Sequence, residues 1–139
     1  MSEAMQSVTP PSLEGITTIA SPFSVEETLA HLEEAIHSRN ITLFAHINHS
    51  GEARKAGLQM QEAHVLIFGN PKGGTPLMVA SPLLALDLPL KALVWQSEDK
   101  QVWVSYTSPT YLATRYAIPS ALVGNIAVID TLIKQALQS

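Results

Sequence analysis

The stretch His64–Gln96, HVLIFGNPKGGTPLMVASPLLALDLPLKALVWQ, carries the strongest indications of the fold. It contains two apolar, strand-like runs with a glycine-rich segment between them, and its only formal charges are Lys72, Asp87 and Lys91. A segment this apolar must be largely buried. A charged side chain in buried surroundings is costly unless it is paired, and such a charge often belongs to a functional site. A functional site is therefore sought first around these three charges.

The first half of this stretch predicts a strand followed by a helix. Ala63–Phe68 lacks polar alternation, which is typical of a central strand covered on both faces. The glycines and Pro71 within Gly69–Gly74 predict a turn. Thr75 then caps a helix that begins with Pro76, where the missing N–H costs nothing. Ser81-Pro82 repeats that signal, so the helix kinks or restarts there.

The second half begins a hairpin, and two helices follow it. Leu90–Gln96 and Gln101–Tyr106 are strand-like runs around a polar four-residue turn. Ser108-Pro109 is a further cap-plus-proline start, and Tyr111–Tyr116 follows as a short helix. Ser120–Gln138 has apolar residues at helical spacing and predicts the last helix.

Working upstream, the chain alternates between strands and helices. Gly15–Ala20 is β-branched and predicts a first strand. Ser24 and Glu27 fit a capping box that opens a helix. Ile41–Asn48 alternates as a strand does, and Glu52–Gly57 fits a short helix. The residues predicted to share the apolar face of that strand are Ile41, Leu43, Ala45 and Ile47.

This order of elements predicts an α+β fold. Strict βα alternation is absent and a hairpin closes the sheet, which favours a two-layer sandwich: a single, mostly antiparallel sheet of about five strands with helices packed on it. The polar segment 1–13 shows no apolar period and predicts a mobile tail, and residues 14–139 fit one domain.

Composition excludes several classes of function. The net charge of −4 argues against a nucleic-acid binder. The absence of cysteine excludes disulfides and a cysteine nucleophile, and it fits a reducing compartment. No positive residue or apolar leader opens the chain and no apolar run could span a bilayer, so we expect a cytoplasmic protein without membrane contact.

The low content of charged residues is also informative. Charged residues make up 14% of the chain, against about 25% in a typical globular domain. Few charges are available to cover the surface, which favours a buried subunit interface and hence a homodimer. The alternative is a monomer with a surface rich in Ser, Thr and Gln.

The central motif resembles a known family. FGNPKGGTPLM (68–78) followed by LALDLPLKALVW (84–95), with YLATRY (111–116) downstream, is similar to the signature of the bacterial and archaeal domain of unknown function 302 family. The resemblance implies a compact α/β domain with a single sheet and suggests a homodimer, and it implies no established activity. An aspartate would be expected before His49, whereas this chain has Asn48. The positions that match the motif are His49, Gly69, Asn70, Pro71, Thr75, Pro76, Asp87, Leu88, Pro89 and Lys91.

Two constellations point to ligand binding. The glycine-rich segment could direct backbone N–H groups, Lys72 and a helix N-terminus towards a phosphate or carboxylate. Asp87, in apolar surroundings, could pair with Lys91 or Lys72 and help to shape the site. In the alternative reading, both features only brace loops. The candidate ligand-binding residues are Gly69, Asn70, Lys72, Gly73, Thr75, Asp87 and Lys91.

Catalysis and metal binding are less well supported. His49 at a strand exit and Asp87 are candidate acid/base residues. His46 and His49, with His64 possibly near, do not complete a tetrahedral ligand set, so we expect no metal site. No cofactor motif is present. The sequence therefore favours a homodimeric binder of a small polar or anionic molecule, then a structural or protein-interaction module without ligand, then an enzyme.

Overall fold

The computed structural model describes residues 9–138 and confirms the α+β sandwich. One five-stranded antiparallel sheet has the order β1-β5-β4-β3-β2. Its strands are β1 (Ile16–Ser21), β2 (Thr42–Asn48), β3 (Ala63–Gly69), β4 (Leu90–Gln96) and β5 (Val102–Thr107). The helices are α1 (Val25–Ser38), α2 (His49–Lys55), α3 (Pro71–Ala80), α4 (Pro109–Arg115) and α5 (Gly124–Ala136), with 3₁₀ turns at Pro82–Asp87 and Ser120–Leu122. Residues 1–8 of the predicted tail lie outside the described residues.

The main core lies between the sheet and the helices α1 and α5. The capping box at Ser24 and Glu27 is present and starts α1 where predicted. Leu32 and Ile36 of α1 are each 1% exposed. The core residues that they join on the sheet and on α5 are Leu66, Phe68, Val94, Val104, Ile129, Leu132 and Ile133.

A second, smaller apolar cluster lies beside α3. It brings together α3, the first 3₁₀ turn, α4 and α5 through the buried residues Leu77, Leu84, Leu112, Ile118 and Ile126. Leu90, at the start of β4, packs against both clusters. This second cluster fixes where α3 sits relative to the end of the sheet, and so it positions the cleft described below.

The other side of the sheet, here called the open face, carries half-exposed apolar residues. Directly paired residues in antiparallel strands share a side, so the register assigns the open face. Its members are Ile16, Ile47, Val65, Ile67, Lys91, Leu93 and Trp95. Trp103 and Ser105 of β5 lie on the same side and are buried.

Two local predictions are wrong. Gly69–Gly74 is not a turn: Asn70 is the N-cap, Pro71 is the first residue of α3, and Pro76 lies inside the helix. Asn70-Pro71 offers the same cap-plus-proline signal as Thr75-Pro76, and the earlier signal is used, because the Asn70 side chain accepts a hydrogen bond from the Lys72 N–H at 3.0 Å.

The second error concerns β2. The register shifts between Leu43 and Ala45, so the two residues lie on opposite sides of the sheet instead of sharing the predicted face. Leu43 pairs with Phe68 on the core side, while Ala45 pairs with Ile67 on the open face. A β-bulge adds one residue to a strand, and the extra residue inverts the alternation beyond it.

Candidate functional site

An apolar cleft of about 250 Å³ lies beside α3, between α5 and the ends of β3 and β4. Phe44, from the bulge of β2, and Val128 are 54% and 37% exposed and stand at its rim. The apolar residues that line it are Ile41, Phe44, Phe68, Pro71, Leu77, Met78, Leu88, Pro89, Leu90, Ile126 and Val128. Such a lining suits a small, largely apolar molecule.

The polar groups of this cleft are few and mostly engaged. The Lys72, Gly73 and Gly74 N–H groups at the start of α3 all donate to Asn70, the first to its side chain and the others to its carbonyl. Asn125 donates from Nδ2 to the Gly73 carbonyl at 3.0 Å. The N–H donors that an anion would need at this helix end are therefore already bonded within the protein.

Gly73 and Gly74 line the cleft although the backbone does not require glycine there. Neither has a positive φ. A Cβ on Gly73 would lie 3.8 Å from the Asn125 carbonyl oxygen, and one on Gly74 would lie 3.9 Å from Leu88 and Met78, which are ordinary contacts. Glycine within a helix is less favourable than alanine by about 0.5–1 kcal/mol. What these two glycines provide is space in the cleft.

The structure separates the predicted ligand-binding residues into groups. Gly69, Asn70, Gly73 and Thr75 line the cleft. The three charged candidates, Lys72, Asp87 and Lys91, are not among its lining residues. Lys91 lies on the open face in a shallow depression that also includes the candidate acid/base residue His49. Asp87 is not among the residues that line the depression with His49.

Asp87 is bonded to Tyr116 on the helix side of the molecule. The Tyr116 hydroxyl donates to Asp87 Oδ2, and the Arg115 guanidinium lies 5.5 Å from the Tyr116 ring centre. The hydrogen bond to Asp87 raises the pKa of Tyr116, because an ionised phenol would face the carboxylate. Asp87 therefore joins the 3₁₀ turn to the end of α4.

We expect Asp87→Asn to lower the pKa of Tyr116 towards its ordinary value of 10.0. The raised pKa means that the bond contributes to stability in full below about pH 10 and loses its contribution as the pH rises through the folded-state pKa. NMR titration of the Tyr116 ring carbon measures this change, with Asp99→Asn as the remote control. An unchanged pKa in Asp87→Asn would contradict the assignment.

A chain of hydrogen-bonded side chains ties the edge strand β2 to β3. His64 is 8% exposed; its Nε2 lies 3.0 Å from Glu62 Oε1 and its Nδ1 lies 2.9 Å from His46 Nε2. Since a carboxylate only accepts, His64 Nε2–H donates to Glu62, and one ring nitrogen of the His46–His64 pair donates to the other. His46 Nδ1 lies 3.7 Å from Glu33 of α1. The hydrogen bond from His64 lowers the pKa of Glu62.

The sequence indicates His46 and His64 as candidate residues, but it does not indicate Glu33, Glu62 or the cleft. The sequence could have indicated Glu62 as a partner of His64, because Glu62 precedes His64 by two residues and residues i and i+2 of a strand share a side. It could not have indicated the cleft, because the lining of the cleft spans residues 41–128.

Neither a metal centre nor a membrane-spanning helix is found among residues 9–138. No group of three or more His, Asp or Glu side chains in this part of the chain is arranged to hold a metal ion. Within the same residues, every helix is too short or too polar to cross a membrane.

The fold and the cleft define a small α+β domain with helices on one side of a single antiparallel sheet. The family model described as "Domain of unknown function DUF302" matches residues 17–138, and the chain belongs to this family. The crystal structure of an uncharacterized conserved DUF302 protein from Bacillus stearothermophilus has the same fold, with a TM-score of 0.75 and 20% identity over 90% of this chain and 97% of that one.

Two similar curated proteins are considerably longer than this chain. Fluoride-specific ion channel FluC 1 of Brucella suis biovar 1 (strain 1330) is 35% identical over 104 residues, which are 75% of this chain and 41% of that protein. Fluoride-specific ion channel FluC 1 of Brucella abortus biovar 1 (strain 9-941) is also 35% identical over 104 residues, 38% of its length. The chain thus spans about two-fifths of the curated relatives that it matches.

Proposed function

We propose that this domain binds a small, largely apolar molecule in the cleft beside α3. The observation that supports this most is the pair of helical glycines, Gly73 and Gly74, which the backbone does not need and which leave space beside Leu88 and Met78. Thr75 and Asn70 at the polar edge of the cleft would orient one polar group of the ligand. The ligand is therefore less polar than the sequence alone suggested.

Fluoride, the ion in the names of the Brucella proteins, fits this cleft poorly. A small anion needs free N–H donors or a cation, whereas the α3 donors are bonded to Asn70 and the Lys72 and Lys91 side chains do not line the cleft. We infer that any contribution of such a domain to a fluoride channel would be accessory. Titration with sodium fluoride, followed by NMR, checks this. Saturable chemical-shift changes at the Lys72–Gly74 amides would contradict it and would support an anionic ligand.

The proposed binder acts as a homodimer. The low charge content supports this, because a chain with 14% charged residues has little with which to solvate all of its surface. Sedimentation velocity gives the mass directly: a dimer has about twice the 15.0 kDa mass of the chain.

The binding proposal predicts opposite effects on stability and affinity at Gly74. Gly74→Ala should stabilise the fold by about 0.5–1 kcal/mol, because it favours the helix, and should narrow the cleft. Gly74→Leu should fill the cleft and weaken binding of an aromatic probe such as indole by about tenfold or more, which is about 1.4 kcal/mol. Urea unfolding and an NMR titration with indole measure the two effects.

Gly124→Ala is the matched control for this experiment. Gly124 begins α5 outside the cleft, and nothing lies within 4 Å of an added Cβ. It should leave the affinity for indole unchanged. If Gly74→Leu binds indole as tightly as the wild type, or if indole shifts no resonance of the cleft, the proposed site is wrong.

A further inference from the structure

The open face presents a largely apolar surface, which residues 11–13 border. Val65 and Leu93 are direct partners at its centre and are half-buried. Ile16 and Ile47, towards opposite edges, are 36% and 38% exposed, and Leu13 beside Ile16 is 71% exposed. A large exposed apolar patch is characteristic of a contact surface.

The polar atoms on this face are bonded to one another. Trp95 Nε1 donates to Ser105 Oγ at 2.9 Å, and Ser105 Oγ lies 2.8 Å from Thr18 Oγ1. Trp103 Nε1 donates to Ser97 Oγ at 3.0 Å. A partner can therefore cover the face without leaving these groups unpaired, and that is the condition for burying it at low cost.

The charges on this face lie at its two ends. Lys91 is exposed at the beginning of β4, where it pairs with Ile67. Glu98 and Asp99 are in the turn after β4, and they share a surface depression with Trp95 of the open face. Lys91 thus lies at one end of the face, and the Glu98–Asp99 pair lies at the other.

We propose that the open face binds the same face of a second copy of this chain, with the twofold axis lying between the two sheets and running across the strands. This axis sets each strand against the same strand of the other copy in the reverse direction. Lys91 of each copy then meets the Glu98–Asp99 turn of the other, and two such contacts form, as an isologous interface requires. An axis along the strands would set Lys91 near Lys91 instead.

The size of the face fits this partner. Five strands about 4.8 Å apart and about seven residues long cover a flat area of roughly 24 by 23 Å, or about 550 Å². Because side chains project from the sheet, the accessible area of the face is larger than this flat area. Stable interfaces remove about 800 Å² of accessible surface from each partner. The cleft beside α3 lies outside this contact, so the dimer leaves the proposed ligand site open.

Charge exchange tests both the face and its orientation, and this test rests on the proposed homodimer. Lys91→Glu and Glu98→Lys should each weaken the dimer by about tenfold or more in sedimentation equilibrium, because each places like charges together. The double variant, Lys91→Glu with Glu98→Lys, should recover most of the lost affinity. Ile47→Asp should also weaken the dimer, whereas Leu86→Asp, at a side chain 77% exposed in the first 3₁₀ turn, should not.

The outcomes separate this proposal from the proposed function. A dimer that withstands Ile47→Asp and both charge changes would overturn the assignment of the interface while leaving a homodimer. Single charge changes that weaken the dimer without recovery in the double variant would overturn the antiparallel arrangement. A wild-type monomer would overturn the dimer altogether, and indole binding in the cleft would remain a separate result.

Discussion

Phe68→Ala is expected to lower the free energy of unfolding by about 3–5 kcal/mol. Phe68 is 1% exposed, belongs to the main core, and also lines the cleft. Its ring therefore stands between the core and the cleft, and its removal joins the new cavity to the existing cleft. The neighbouring side chains cannot close such a gap fully, so the loss includes a cavity term as well as the lost burial. Urea unfolding measures this loss.

An aromatic probe separates this effect from simple loss of packing. Indole should stabilise Phe68→Ala by more than it stabilises the wild type, because an apolar cavity of this kind accepts an aromatic ring. Phe44→Ala is the control: its ring lines the same cleft but is 54% exposed, and its loss should cost less than about 1 kcal/mol. If Phe68→Ala and Phe44→Ala lower the free energy of unfolding equally, Phe68 does not separate the core from the cleft.

His64→Ala is expected to destabilise the fold by about 2–3 kcal/mol. The substitution removes a buried ring and leaves Glu62 and His46 without their shared partner. The edge strand β2 then loses its side-chain tie to β3. Amide hydrogen exchange should accelerate in β2 more than in β4, and chemical denaturation gives the total loss.

A double-mutant cycle assigns this loss to the His46–His64 bond. His46→Ala should cost less than His64→Ala, because the His46 side chain is 35% exposed. The double variant should cost less than the sum of the single variants, because the two share one hydrogen bond. His37→Ala, on the exposed side of α1, serves as the control with no expected effect. Strict additivity would mean that the bond contributes nothing.

The parts of the fold that sequence predicted correctly are those with local causes. The capping box at Ser24 and the hairpin of β4 and β5 each depend on residues a few positions apart, and both are present. Sequence failed at α3, where two cap-plus-proline signals five residues apart competed, and a local pattern does not decide between them. It failed at the β2 bulge because the extra residue is accommodated by pairing with β3, which is a tertiary property.

The candidate ligand site at Gly69–Thr75 stays a prediction. Gly69–Thr75 does border the cleft, but the interpretation as an anion-binding loop depended on free N–H groups that the helix uses for its own cap. The sequence offers Lys72 and Lys91 as partners of Asp87. In the structure its hydrogen-bond partner is Tyr116, 29 residues away. Only folding brings such a pair together, so charge spacing alone cannot identify it.

The pairing of β1 with β5 has a consequence for synthesis of the chain. Ile16 of β1 pairs with Thr107 of β5, so the first strand of this sheet has no neighbour until the last strand of the sheet has left the ribosome. The nascent chain therefore passes through a stage in which β2, β3 and β4 can already associate while β1 is still unpaired. The sheet closes by joining its earliest and latest strands, and the cost of closing so long a loop grows only with the logarithm of its length.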